Sequence, residues 1–303
     1  MSRRLRVSIT PAAPFDLERS LAAMASFVPR IVSGAAAPRA VLWLGARPVL
    51  AEFRQKSRCG RSVTVTTDAP PSARARLREA AAWLLSAELD LRPFYRLAAR
   101  HPVLVALARS LRGLKPLRPA SLFEMAVIAI TEQQISLAAA YHIRQRLIER
   151  FGTSRGPLWA FPAPQRLARA PLRALRACGL SGAKSEYIAA LARKVARGTL
   201  DLEALRAMPD DEARAVLCAQ RGFGPWSADY VLVRGLGRVD CVPADDLGVR
   251  DAVGKYLGGG RRVSAKTAAR LLKPFAPYRG LAVFYLLVAH RQEMGARRRK
   301  RAG

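Results

Sequence analysis

The chain has 303 residues, half of them hydrophobic, and carries 52 Lys and Arg against 22 Asp and Glu, a formal charge of +30. That apolar content excludes disorder over most of the length. A charge of this size spreads over the surface and points to a polyanionic partner, nucleic acid first, although a proteome that simply runs basic would leave the same mark.

The four cysteines (Cys59, Cys178, Cys218, Cys241) stand far apart, which suggests neither a zinc site nor a disulfide framework and fits a reducing, cytoplasmic setting. Met1 to Thr10 lacks the apolar run of a secretory signal. The longest apolar run, Gly280 to Ala289, is about half the roughly 20 residues of a membrane span, so no span is expected.

Residues 1 to 85 read as a small α+β unit. Leu5, Val7 and Ile9 alternate with Arg6, Ser8 and Thr10, and Ser62 to Thr67 is rich in β-branched residues, both patterns of half-buried strands. Phe15 to Phe27 and Ser72 to Leu85 have helical spacing, and Ala40 to Phe53 suits a hairpin. From 86 to 296 the signal is helical. Ser121 with Glu124 three residues on marks a helix start, and the apolar period runs to Phe151 before Gly152. Pro162, Pro164 and Pro171 interrupt it, and helices follow at about 165–177, 184–197, 201–207 and 211–220. Another starts near Pro225, then come Leu247 to Leu257, a triple-glycine loop at 258–260, Ala265 to Leu272 and Gly280 to Gln292. Residues 297–303 read as a disordered basic tail. The fold class expected is α+β, a small mixed domain followed by a mostly helical region.

The stretch from Asp210 to Asp246 is the most informative. An acid-capped helix runs into Arg221-Gly222-Phe223-Gly224-Pro225, and a second helix begins at Trp226. Two glycines around one apolar residue let a backbone approach closely, and the free amides of the second helix suit a phosphate. Alone, the triplet fits an ordinary turn between helices equally well. Trp226 and Tyr230, four apart, share a helix face, as core packing would also require. Asp245 or Asp246 would cap the helix at Leu247.

Taken together, Gly-Phe-Gly-Pro-Trp-Ser-Ala-Asp-Tyr at 222–230, Pro-Ala-Asp-Asp-Leu-Gly-Val-Arg at 243–250, Thr-Glu-Gln-Gln-Ile-Ser at 131–136, Asp90-Leu91 with Phe94-Tyr95, and Gly182 to Ile188 resemble the helix-hairpin-helix DNA glycosylase superfamily, in its 3-methyladenine glycosylase II branch. The resemblance spans about 86–290. It implies a monofunctional enzyme that excises alkylated purines from double-stranded DNA in base excision repair and leaves an abasic site. By motif matching, Asp246 is the catalytic carboxylate, with Asp245 left to cap the helix. Trp226, Tyr230 and Gln133 line the base pocket, and Gln134 fills the gap left by the extruded base. Arg221, Gly222, Phe223, Gly224 and Ser227 meet DNA. A monovalent cation at the carbonyls of Cys218, Gln220 and Phe223 is implied, and no cofactor is required. The setting implied is a monomer in the cytoplasm, associated with the nucleoid in a prokaryote.

Breaking an N-glycosidic bond builds positive charge on the sugar, which a nearby carboxylate stabilises. Trp226 stands where relatives that also cut the strand carry lysine, and scattered cysteines cannot supply the clustered ligands of the iron–sulfur branch. His101, His142 and His290 form no motif. The chain departs from the family at Arg221, where proline is usual, at Glu132, where a small residue is common, and at Leu287, where a further pocket tryptophan often lies. Two alternatives stay open: a non-catalytic helix-hairpin-helix DNA-binding protein, and a glycosylase for deaminated or oxidised bases. A structural or RNA-binding role is disfavoured, since no RNA-binding module signature is present.

Overall fold

In the computed structural model, which describes residues 4–25, 27–33, 38–57 and 60–302 and from 297 onward the backbone alone, the alternating segments form an antiparallel sheet. Its strands are β1 (Leu5–Ile9), β2 (Val32–Ser33), β3 (Arg39–Leu44), β4 (Arg47–Gln55) and β5 (Val63–Thr67), in the order β1-β5-β4-β3-β2, with helix α1 (Leu17–Ala25) between β1 and β2. Val7 faces Val65, and Phe53 pairs with the same residue from β4, so the register sets one row of β-branched and aromatic side chains on the inner face. The hairpin expected within Ala40 to Phe53 is β3–β4, turning at Gly45. Helix α2 (Arg74–Leu84) follows. Cys59 and the first three residues lie outside the described residues.

Next come α3 (Arg92–Ala98), α4 (Pro102–Ser110), α5 (Leu122–Glu132), α6 (Leu137–Phe151), a two-stranded hairpin of β6 (Thr153–Arg155) and β7 (Leu158–Ala160), α7 (Pro164–Ala168), α8 (Leu172–Arg176) and α9 (Gly182–Ala196). Helices α10 (Asp210–Cys218), α11 (Pro225–Arg234), α12 (Leu247–Leu257), α13 (Ala265–Leu272) and α14 (Arg279–Ala302) complete the chain. Every residue of α5 is buried, as its continuous apolar sequence requires, so it is the central helix.

Packing does not follow chain order. The sheet shares one core with α5, α6 and α9–α11, while Leu91 to Leu114 pack with Val249 to Leu286 in a second core. A deep cleft opens between these two bodies of side chains.

Four local expectations are corrected. The helix from Ser121 breaks at 133–136, because Gln134 takes a φ of 53° and Ser136 caps a new helix by accepting from the Ala139 amide. The segment at 165–177 divides at Pro171, which has no N–H to give. Residues 203–207 form a tighter 3-10 turn, opened by the Asp201 carboxylate and closed where Pro209 forbids a helical Met208. The basic tail is helical to Ala302, since α14 meets no glycine or proline between 296 and 302 and Arg, Lys and Ala favour helix. Among the described residues no single helix is long and apolar enough to cross a membrane.

Candidate active site and DNA interface

The cleft, about 1720 Å³, is lined by Gln133, Gln134, Trp226, Tyr230, Asp246, Leu287 and Gly222 together. That exceeds the 300–1,000 Å³ typical of small-molecule pockets and suits a strand of a macromolecule. A groove of about 1810 Å³ runs over the outer face of the sheet, and none of the candidate catalytic, base-pocket or DNA-binding residues lines it.

The hairpin between α10 and α11 is built as its glycines demand. Gly222 has a φ of 88°, and a Cβ there would run into the Tyr187 ring. Gly224 precedes Pro225 at the head of α11, where no side chain caps the helix, so the amides of Trp226 and Ser227 have no intrahelical acceptor. Phe223 is 8% exposed and points into the core, and Ser227 is 2% exposed with its hydroxyl bonded to Gln133 Nε2 at 2.9 Å. The Phe223 and Ser227 side chains are therefore taken up within the protein, one in its core and the other on Gln133. Arg221 is exposed and reaches Glu186 at 3.2 Å. The Gln220 carbonyl accepts from the Phe223 amide at 3.0 Å, which leaves it one lone pair.

Gln133 ends α5 instead of lying within a helix, and its amide group also donates to the Gly222 carbonyl at 2.7 Å. It thus ties the break to the hairpin. Lys184, at the start of α9, donates to the carbonyls of Thr131 and Gln133 at 3.2 and 2.6 Å, and burial pulls its ammonium below its usual range. Gln134, with positive φ, is exposed at the cleft mouth beside Ile135 and Leu137, which are 37% and 50% exposed.

Trp226 and Tyr230 stack at 5.2 Å with an 18° angle between rings. Tyr230 therefore does not offer a free wall to a base: Trp226 covers its face and Phe27 meets it edge-on at 6.3 Å. Its hydroxyl donates to Glu132 at 2.7 Å, Arg144 binds the other Glu132 oxygen at 2.6 Å, and Arg144 donates again to the Phe27 carbonyl. Burial, then the Glu132 charge, drives the Tyr230 hydroxyl well above its ordinary pKa. This buried ion pair was not foreseen, because its partners meet across the break between α5 and α6.

Asp246, not Asp245, caps α12. Its Oδ1 accepts from the Val249 amide at 2.9 Å and its Oδ2 from the Trp226 indole at 3.2 Å, so the cap and the aromatic stack hold one carboxylate at the cleft. Asp245 is exposed. Leu247 beside it is 57% exposed, and Leu287 packs near Gly248. Phe27, Arg234 and Phe284 also line the cleft and were not singled out from the sequence, where each fits ordinary helix spacing.

A helix-hairpin-helix with an aspartate at the head of the next helix, inside a cleft of helices, defines a base-excision DNA repair fold. Residues 127–277 match the HhH-GPD superfamily of base excision DNA repair proteins, and the chain belongs to that superfamily. Within it the chain is similar to the DNA-3-methyladenine glycosylase of Bacillus subtilis (strain 168), 34% identical over 201 residues, 65% of this chain and 66% of that one. It is also similar to DNA-3-methyladenine glycosylase 2 of Escherichia coli (strain K12), 30% identical over 54% of this chain and 57% of that one. The solved 3-methyladenine DNA-glycosylase from Archaeoglobus fulgidus superposes with a TM-score of 0.82 at 26% identity, covering 95% of this chain and 98% of that one. The matches with the two curated relatives thus span about three-fifths of their length.

Proposed function

We propose that the protein is a monofunctional DNA glycosylase that releases alkylated purines of the 3-methyladenine type from duplex DNA and leaves an abasic site. One observation carries this reading: Asp246 stands in the cleft with its two oxygens held by the Val249 amide and the Trp226 indole, the indole itself belonging to the helix that opens at the hairpin.

The amides at the start of α11 and the exposed Arg221 receive the backbone of the duplex. Backbone carbonyls of Cys218, Gln220 and Phe223 are a neutral donor set suited to a monovalent cation, which when bound would add positive charge facing the phosphate. The damaged nucleotide rotates into the cleft while Gln134 takes its place in the stack. The base lies on the outer face of Trp226, backed by Tyr230, and an electron-rich ring favours a cationic alkylated purine. As the bond to C1′ breaks, its electron pair leaves with the base and the Asp246 carboxylate stabilises the charge left on the sugar. Water adds to C1′ and gives up its proton to the Asp246 carboxylate, which leaves a neutral abasic sugar. Trp226 offers no amine for a Schiff base, so the strand stays intact.

The test uses duplexes carrying single methylated purines, hypoxanthine, uracil or 8-oxoguanine, scored for alkali-labile sites. Methylated purines should be released, and Asp246→Asn should abolish release while DNA binding persists. Asparagine can still cap α12, so loss of activity in this variant is separable from loss of the helix start, whereas Asp246→Ala also costs about 1 kcal/mol of stability. Binding without release of any lesion would make the protein a non-catalytic DNA binder. Release of the deaminated or oxidised bases alone would move it to the other glycosylase class.

A further inference from the structure

Lys184 is the third residue of α9, where Ser181 caps the helix and its hydroxyl accepts from the Lys184 amide at 3.3 Å. A cation is badly placed there for the helix itself, because the positive end of the dipole favours acids, and the first turn of α9 holds none. Its side chain is half-buried as well, which a charged group resists. What it gains lies on another helix.

The ammonium reaches the end of α5 and donates to the carbonyls of Thr131 and Gln133 at 3.2 and 2.6 Å. Carbonyls at a helix end have no partner within the helix. The Gln133 carbonyl belongs to the peptide unit that leads into Gln134, and Gln134 holds a φ of 53°. That left-handed conformation is unfavourable for any residue but glycine, so it persists where neighbours impose it. Gln133 is fixed from its other side too, since its amide nitrogen donates to the Gly222 carbonyl at 2.7 Å and to Ser227 Oγ at 2.9 Å. Gln134 itself is exposed at the cleft, so its direction is set by its backbone.

We propose that Lys184 is a positioning residue for base extrusion: by holding the Gln133 carbonyl from α9 while the hairpin holds the Gln133 side chain, it keeps Gln134 poised to enter the stack as the damaged base leaves. The hairpin that grips the backbone and the side chain that fills the gap then move as one body. Extrusion is where this matters, because opening a paired, stacked base is the step that costs free energy before any bond breaks. The proposal deepens the glycosylase reading and rests on it.

The test compares one lesion in two settings: 7-methylguanine paired with cytosine in a duplex, and 7-methylguanine in a one-nucleotide bulge, where it is already loosened from the stack. Lys184→Met should lower kcat/KM for the paired lesion by roughly tenfold or more, as expected for loss of charged hydrogen bonds, and leave the bulged lesion within about threefold. In a Gln134→Ala background the same change should have no further effect, since the side chain it positions is gone. Equal losses in the two settings, no loss with the paired lesion, or a full further loss in the Gln134→Ala background overturns the proposal. A salt dependence of binding shallower by about one in slope does so too, because it marks a direct phosphate contact. Lys184→Gln, which keeps one uncharged donor, should fall between and is read the same way if the Met variant does not fold; failure of both to fold marks a structural role and overturns it. A 2-aminopurine beside the paired lesion brightens as the lesion leaves the stack, a readout that needs no chemistry. If the parent protein brightens it without releasing any base and Lys184→Met abolishes the rise, the positioning role stands and the catalytic reading falls. No rise in the parent, or an equal rise in the variant, overturns the positioning role.

Discussion

Glu132 is 7% exposed and joins Arg144, 2% exposed, to the Tyr230 hydroxyl. Glu132→Gln keeps the shape but removes the charge, leaving the Arg144 guanidinium buried opposite a neutral amide. Breaking one side of a buried pair costs roughly 3–5 kcal/mol, and an isosteric amide that retains one hydrogen bond places this variant near the lower figure. Against a total stability of about 5–15 kcal/mol this is a large fraction. At a few degrees per kcal/mol for chains of this size, Tm should fall by roughly 6 °C or more. Adding Arg144→Met removes the stranded charge and leaves the Phe27 carbonyl and one end of the amide at position 132 without partners, neutral groups that cost less than an unpaired buried charge. The double variant should therefore be more stable than Glu132→Gln alone. Urea titration, with the denaturant slope checked for constancy, measures all three. A single variant that loses under 1 kcal/mol, or a double variant at least as unstable as the sum of its parts, would refute the view that the pair is a mutually dependent buried unit.

Burial pushes the Glu124 carboxyl up to about 8, against a smaller downward pull from the Ala120 backbone. A carboxyl raised on folding stabilises most at low pH, and its contribution is lost as pH climbs from the unfolded value near 4.3 through the folded one. Urea midpoints at pH 5, 7 and 9 should show a slope of up to about 1.4 kcal/mol per pH unit in that window, flattened by Glu124→Gln; equal slopes in the two proteins would count against it. Gly222→Ala sets a Cβ against Tyr187 at a φ of 88° and should cost on the order of 1–3 kcal/mol. The same change should weaken duplex binding measured by fluorescence anisotropy, and an unaltered affinity would remove the hairpin from the interface.

What could be read from residue order was whatever is local. The Gly222-Phe223-Gly224 turn and its spacing to Asp246 are contiguous signals, and alternation alone marked β1 and β5. Asp246 as the cap of α12 was half legible, since two adjacent aspartates offered the same chemistry and only the backbone decides which turns inward. The break at 133–136 hid because its polar residues also suit the solvent side of a helix, although Ser136 ahead of Leu137 is itself a helix-start signal. Glu132 with Arg144, and Phe27 with Arg234, come together only when separate segments pack, so no spacing announces them. Tyr230 stacked beneath Trp226 follows the same rule: the spacing of four put the rings on one face, and Asp246 and Glu132 fixed which ring faces outward.

The second core has a consequence for how the chain is made. Leu91, Phe94, Leu104 and Leu114 leave the ribosome early, and the residues that cover them, Val249 to Leu286, are translated more than a hundred positions later. At about 5–20 residues per second this leaves α3 and α4 without their packing partners for on the order of ten seconds. The sheet and α5 to α11 can settle in that interval around their own core. Asp246 heads a helix that closes the late core, so the catalytic candidate is set in place in the last stage of synthesis, when the nascent chain can first shut its cleft.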